Sequence, residues 1–211
     1  IGEVLIIIGI FFIITGIPTF LILLIFMKKT RSKVFDIFSS ISLWIVAFIV
    51  TTTILNCYIM YRCTPFSEKY FTASEEHSRE ELIELYEKLI NEANILAKQV
   101  KRDENGIFVL TADVDECAKT AMKNIADKYP QLKGYYPDAK PVLNSFFMSQ
   151  SGLLGVFFSF SMEANYNKDM YEINLPDTVC HEYAHLKGII QEDEAGFIAF
   201  LACSESDNTD F

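Results

Sequence analysis

Two uncharged apolar runs open the chain, and no other feature limits so firmly what it can fold into. Val4 to Met27 is 24 residues without a charge, and Ile37 to Tyr61 adds 25 more. A helix needs about 20 apolar residues to cross the hydrocarbon core of a bilayer. Core helices of water-soluble domains are seldom so long and so free of charge, so both runs read as membrane spans, about residues 4–27 and 37–61. Gly16 and Pro18 predict a kink in the first span and not a break. Thr51, Thr52, Thr53 and Asn56 give the second span a mild polarity that helix packing accounts for. A cleaved signal peptide fits the first run poorly, because its apolar core is too long and a second span follows at once.

Between the runs, Lys28-Lys29-Thr30-Arg31-Ser32-Lys33 carries four positive charges in six residues. Short loops rich in Lys and Arg stay in the cytoplasm. Both termini are then expected outside, and so is everything after Tyr61. The chain reads as a two-helix anchor, residues 1–61, followed by an extracytoplasmic domain, residues 62–211, large enough for one core.

The formal net charge is −10. Four basic and two acidic residues fall in 1–61, which leaves 14 basic and 26 acidic residues for 62–211. So acidic an exterior argues against nucleic acid or anionic lipid as a partner. Five cysteines (Cys57, Cys63, Cys117, Cys180 and Cys203) are an odd number without CxxC spacing, and no pairing follows from them.

The chemistry concentrates in His181-Glu182-Tyr183-Ala184-His185, an HExxH pattern. Residues four apart lie on one helix face, so both imidazoles can reach one metal ion. Glu182, beside the first histidine, can hold and deprotonate a water at that metal. Two nitrogen ligands, an open position and a general base are the minimum for metal-assisted hydrolysis. Asp177 or Thr178 can cap the start of the helix, and Lys187-Gly188 can stop it. A new helix then opens with Gln191-Glu192-Asp193-Glu194, where the helix dipole favours acidic side chains. A third ligand is expected there, from Glu192 or Glu194. Glu192 shares a helix face with Gly196, Ala199 and Cys203, a strip of small residues that permits close approach. Glu194 points about 200° away. Glu192 is the ligand of choice and Glu194 the second. Cys180, about 100° off the ligand face, reads as a small core residue.

The stretch HEYAHLKGIIQEDEAGFIAFLAC, with GVFFSFSMEANYN upstream, resembles the bacterial membrane-anchored proteins grouped as domain-of-unknown-function family 3810. The likeness covers most of the chain and is most specific from Gly155 to Cys203. It implies a zinc metallopeptidase. The EDEA segment is also similar to the glutamate motif of gluzincin peptidases, whose first glutamate binds the metal, which again points to Glu192. Gly196 departs from the pattern: those families carry Asn or Asp there, a side chain that supports the ligands. Relatives continue beyond the glutamate helix, so the chain reads as truncated at its C-terminus.

In the rest of the domain, Ser78-x-x-Glu81 predicts a capping box before a helix of period Leu82, Leu85, Leu89, Ala93, Leu96 and Val100, ended by Gly106. A second helix is expected over Val114–Tyr129. Residues 134–141 read as a loop, and Val142–Met148 and Gly155–Ser161 as strands. The expected fold class is therefore an α+β, zincin-like metallopeptidase domain, mostly helical with a small sheet, behind two transmembrane helices. Glu163 and Asn165, just after the second strand, are candidates for a substrate contact or for support of a ligand; for Glu163, a turn-capping role is the alternative. Tyr166 and Tyr171 are both candidates for the phenol that steadies a developing oxyanion. His77 reads as solvated.

The function expected is hydrolysis of a protein or peptide substrate by one Zn2+ held by His181, His185 and Glu192, with Glu182 as general base. The alternative is a non-catalytic membrane sensor or scaffold on the same fold, which Gly196 favours.

Overall fold

A computed structural model of the chain describes residues 2–26, 33–71 and 77–211. The chain divides into two units, residues 1–62 with 158–162, and residues 63–157 with 163–211.

In the first unit, helix α1 (Gly2–Phe26) and helix α2 (Lys33–Thr53) occupy the two apolar runs. α2 continues through a wider turn, Ile54–Ile59, and a tighter one, Met60–Arg62. The stretches Gly2–Ile22 and Asp36–Arg62 are long and apolar enough to cross a membrane, with mean hydropathies of 2.7 and 2.0. α1 runs unbroken past Pro18. Of the basic cluster, Lys33 opens α2, and residues 28–32 lie outside the described residues.

The second unit is mostly helical with a small three-stranded sheet. Helix α3 (Phe66–Tyr70) comes first, then α4 (Arg79–Leu96). The predicted capping box is present: Ser78 N–H donates to Glu81 Oε2 at 2.6 Å, and Glu81 N–H to Ser78 Oγ at 3.2 Å. The helix stops at Leu96, ten residues before the expected Gly106. At the early stop Arg102 donates to Ala97 O, a carbonyl that another turn would have used, and to Gly106 O in the loop beyond. Helix α5 (Val114–Ile125) is capped by Asp113, whose carboxylate accepts from Asp115 N and Glu116 N. It too is shorter than expected, since Pro130 opens a separate turn, Pro130–Leu132.

The sheet has the order β1-β3-β2, from β1 (Lys140–Pro141), β2 (Gly155–Phe158) and β3 (Glu163–Tyr166). β1 runs parallel to β3, with Lys140 opposite Asn165 and Pro141 opposite Tyr166. The strand expected over Val142–Met148 is not formed: helix α6 (Ser145–Gln150) stands there. Its apolar residues do not alternate between a core and a wet face. Phe146 and Phe147 are both exposed, while the polar Ser145 is buried, its hydroxyl donating to Val142 O and accepting from Lys168 N.

Helices α7 (Leu175–Leu186) and α8 (Glu192–Ser204) complete the unit. α7 lies against α5, α8 and β3, and the core between them is built largely of small side chains: Ala118, Ala121, Cys180, Ala184, Ala195, Ala199 and Ala202, with Met122, Ile125 and Ile198 filling the gaps. Cys180 is fully buried there, as expected. Tyr183, the largest fully buried side chain, pins α7 to the rest. Its hydroxyl donates to Asp115 Oδ1 at 2.6 Å and Pro137 O at 2.8 Å, and its ring meets Tyr136 edge-on. Asp115 also accepts from Ala139 N at 2.7 Å and pairs with Lys119. Burial alone would raise its pKa, but the bonds from Lys119, Tyr183 and Ala139 outweigh it and hold the carboxyl below its ordinary 3.8.

Tyr183→Phe keeps the ring and removes a hydroxyl bonded to a carboxylate. It should lower the unfolding free energy by about 1.5–3 kcal/mol at pH 7, read from urea melts. The folded pKa of Asp115 is depressed, so its contribution is complete above pH 3.8 and fades as pH falls through the lower folded value. The gap between mutant and wild type should therefore hold from pH 7 to about 4.

Candidate metal centre

His181 and His185 lie one turn apart on the face of α7 opposite Tyr183. Their ring centroids are 4.6 Å apart with the planes perpendicular, so the two Nε2 atoms converge on one point. The third side chain comes from the first turn of α8: Glu192 Oε2 is 3.1 Å from His181 Nε2, and Oε1 is 3.6 Å from His185 Nε2. Ligand atoms about 2.0–2.1 Å from a tetrahedral zinc are about 3.4 Å from one another. The donor set therefore has both the composition and the spacing of a three-residue metal site.

The turn between the helices fixes the protonation of His185. Gly188 adopts φ +83°, a left-handed conformation that costs glycine nothing. The turn brings Ile189 N–H back to Ala184 O and sets Ile189 O 2.7 Å from His185 Nδ1. A carbonyl can only accept, so Nδ1 carries the proton and the Nε2 lone pair is left for a metal. Burial, helped by neighbouring His181, holds the His185 pKa below 6.5 and keeps the ring neutral. The start of α7 differs from expectation. The helix begins at Leu175 with Pro176 in its first turn, so Asp177 and Thr178 lie inside it and are not its cap. Asp177 keeps an exposed surface, yet the protein crowded around its carboxyl raises its pKa against the pull of His181.

Glu182 points into the protein beside this face and is 5 % exposed. Its Oε2 is buried without a hydrogen-bond partner. Burial, and secondarily the charge of Glu192, push its pKa up to about 8. An unpaired buried carboxyl is costly, and such groups gather at functional sites. Here it adjoins the point where the three donors converge.

The two glutamates of α8 have separate roles. Glu194 is buried and faces α3, where its carboxylate accepts from Phe66 N, Ser67 N and Ser67 Oγ at 2.7–2.8 Å. It caps α3 and lies outside the group formed by His181, His185 and Glu192. Glu163 is buried and forms an ion pair at 2.8 Å with Lys140, joining β1 to β3. It belongs to a strand rather than to a turn. Asn165 donates to Val156 O, bracing β2 next to Gly155, and to Glu163 O. Tyr171 is 77 % exposed, and Tyr166 packs on the hydrophobic core. His77 is exposed beside Glu81.

A second acidic group, Asp115, Glu116 and Asp138, also converges. Its centre is taken by Lys119 Nζ, 2.5 Å from Asp115 and Asp138 and 3.2 Å from Glu116. The protein supplies its own cation there. Sequence reasoning missed this cluster, although the i,i+4 spacing of Asp115 and Lys119 was a visible signal.

A model of the family described as protein of unknown function (DUF3810) matches residues 1–211. The chain belongs to that family. No curated protein and no solved structure matches the chain. Within this family member the HExxH helix, the Glu192 turn and the glycine of β2 meet in one place, and the sequence features that carried the resemblance are the ones that build the centre.

The assignment of the two glutamates separates cleanly by experiment. Glu192→Ala should abolish stoichiometric zinc binding by the purified protein while leaving its melting temperature near the wild-type value. Glu194→Ala should retain zinc and lose about 1–3 kcal/mol of stability, as expected for an uncapped helix with buried donors. Zinc lost on Glu194→Ala and kept on Glu192→Ala would reverse the roles.

Proposed function

We propose that the chain is a membrane-anchored zinc metallopeptidase with a zincin-like domain, which cleaves protein or peptide substrates outside the membrane. The observation that carries the reading is the meeting of Glu192 with both histidine Nε2 atoms, at 3.1 and 3.6 Å, beside a buried carboxyl that has no partner.

His181, His185 and Glu192 would hold the metal as two neutral nitrogens and one carboxylate. Bound there, a zinc ion would supply Lewis acidity, acidifying a water and polarising a carbonyl. Ile189 O keeps His185 in the ligating tautomer. Glu182 adjoins His181 in the chain and has an Oε2 without a hydrogen-bond partner, which leaves it free to accept a proton from water and return it to a leaving amine. β2 is the terminal strand of the described sheet, and Gly155 at its start touches the Glu182 carboxyl. An extended peptide pairing with that open edge would carry its backbone past the centre.

Glu182→Gln isolates the chemistry from the metal. The amide is of equal size and cannot take a proton, so zinc content and melting temperature should hold while hydrolysis of a quenched peptide library falls by about two to four orders of magnitude. Unchanged turnover would sink the mechanism. Zinc bound by a wild type that cleaves nothing in the library would favour the sensor or scaffold reading.

The sidedness follows from the basic cluster at Lys28–Lys33. Protease added to intact cells should digest residues beyond Arg62 and spare an epitope placed at 28–33. The opposite pattern would put the centre in the cytoplasm.

A further inference from the structure

Gly155 opens β2 and is partly buried. Glycine weakens a strand, since it loses more conformational freedom than any other residue and brings no side chain to pack. Elsewhere the chain uses glycine for backbone reasons: Gly106, Gly134, Gly152 and Gly188 all have positive φ. Gly155 does not, and any L-residue could adopt its backbone. What another residue could not do is fit. A Cβ at 155 would stand inside van der Waals contact of Glu182 Oε1 and 2.8 Å from both Cδ and Cγ. By contrast, a Cβ at Gly9 or Gly196 would meet nothing within 4 Å.

We propose that Gly155 is a positioning residue whose missing side chain forms the slot that holds the Glu182 carboxyl beside the metal ligands. The atoms in conflict begin at Cγ, so rotating the carboxyl about its last bonds does not clear them. The whole side chain has to leave its rotamer, and it is buried on all but one-twentieth of its surface. The strand is held in place from the other side. Asn165 Nδ2 donates to Val156 O, and Asn167 N–H donates to Leu154 O at 2.7 Å, so the residues flanking Gly155 are tied to β3 and to the residue that follows it. β3 in turn packs on α7, the helix that carries Glu182. Strand and helix are thus locked at a spacing that leaves room for a carboxyl and for nothing more.

The steric claim stands apart from the reaction. Only its bearing on turnover rests on the peptidase reading. A double-mutant cycle in the full-length, detergent-solubilised protein tests it through Gly155→Ala, Glu182→Ala and the pair. Gly155→Ala alone should lower the Tm by about 3–10 °C, the range for an overpacked methyl in a chain of this size. In the Glu182→Ala background the same methyl enters space vacated by the carboxyl, and most of that loss should vanish. If Gly155→Ala fails to fold while the double mutant folds, the claim is upheld. It is overturned if Gly155→Ala costs the same in both backgrounds, costs nothing in either, or leaves both variants unfolded.

Zinc stoichiometry, measured by competition with a chromogenic chelator, should be unchanged in Gly155→Ala, because the substitution touches no ligand. On fluorescence-quenched casein the variant should lose about a hundredfold or more in kcat with little change in KM, the pattern of a displaced general base rather than a weakened binding surface. Full turnover in Gly155→Ala would overturn the positioning role. A wild type that leaves casein intact would count against the peptidase reading, and the Tm cycle would still decide the slot.

Discussion

The close packing of α7 on α8 is the constraint from which the centre follows. Cys180 and Ala184 on one helix face Ala195, Ala199 and Ala202 within the same buried cluster. Side chains this small let helix axes approach toward the short end of the usual 8–10 Å range. Only at short range can Glu192, on the first turn of α8, reach two imidazoles on α7. The hairpin between them has to be tight as well, and Gly188 provides that turn while aiming the Ile189 carbonyl at His185. A single piece of backbone geometry therefore closes the helix pair and sets the tautomer of His185.

α7 has to satisfy two opposed demands. One face is anchored by Tyr183 to Asp115 and Pro137, through a hydroxyl whose one proton lies between two acceptors. The other carries two imidazoles, beside a buried carboxyl whose Oε2 has lost its water without gaining a partner. Groups so placed cost stability, and the anchoring face offsets that cost. The position between the two histidines in HExxH is thus not a spacer here. Tyr183 is the residue that holds the motif still.

Much of the centre could be read in the sequence because helical periodicity is local. The i,i+4 spacing put His181 and His185 on one face, and the 100° step per residue set Glu192 and Glu194 on different sides of α8, where the first meets the histidines and the second meets α3. The capping box at Ser78 and the small-residue character of Cys180 were legible for the same reason. Features that depend on distant partners were not. Glu194 is bonded to Phe66 and Ser67, 128 and 127 residues away, and nothing near position 194 announces them. Val142–Met148 looked like a strand because Val142, Leu143, Phe146 and Phe147 are apolar. Which of them face solvent is a tertiary fact, and two exposed phenylalanines next to a buried serine make a short helix. β3 was missed altogether: four residues, Glu-Ala-Asn-Tyr, carry too little pattern to register, and the Lys140 that pairs with Glu163 lies 23 residues upstream.

Glu194 has one more consequence. α3 begins at Phe66, four residues beyond the last turn of the apolar helical run at Arg62. The carboxylate that caps α3 sits on the same turn of α8 as Glu192, two residues along. A displacement of α3 is therefore met, through three short hydrogen bonds, at the turn of α8 that also carries Glu192. The footing of one short helix and the carboxylate that faces the two histidines are positioned by the same piece of backbone.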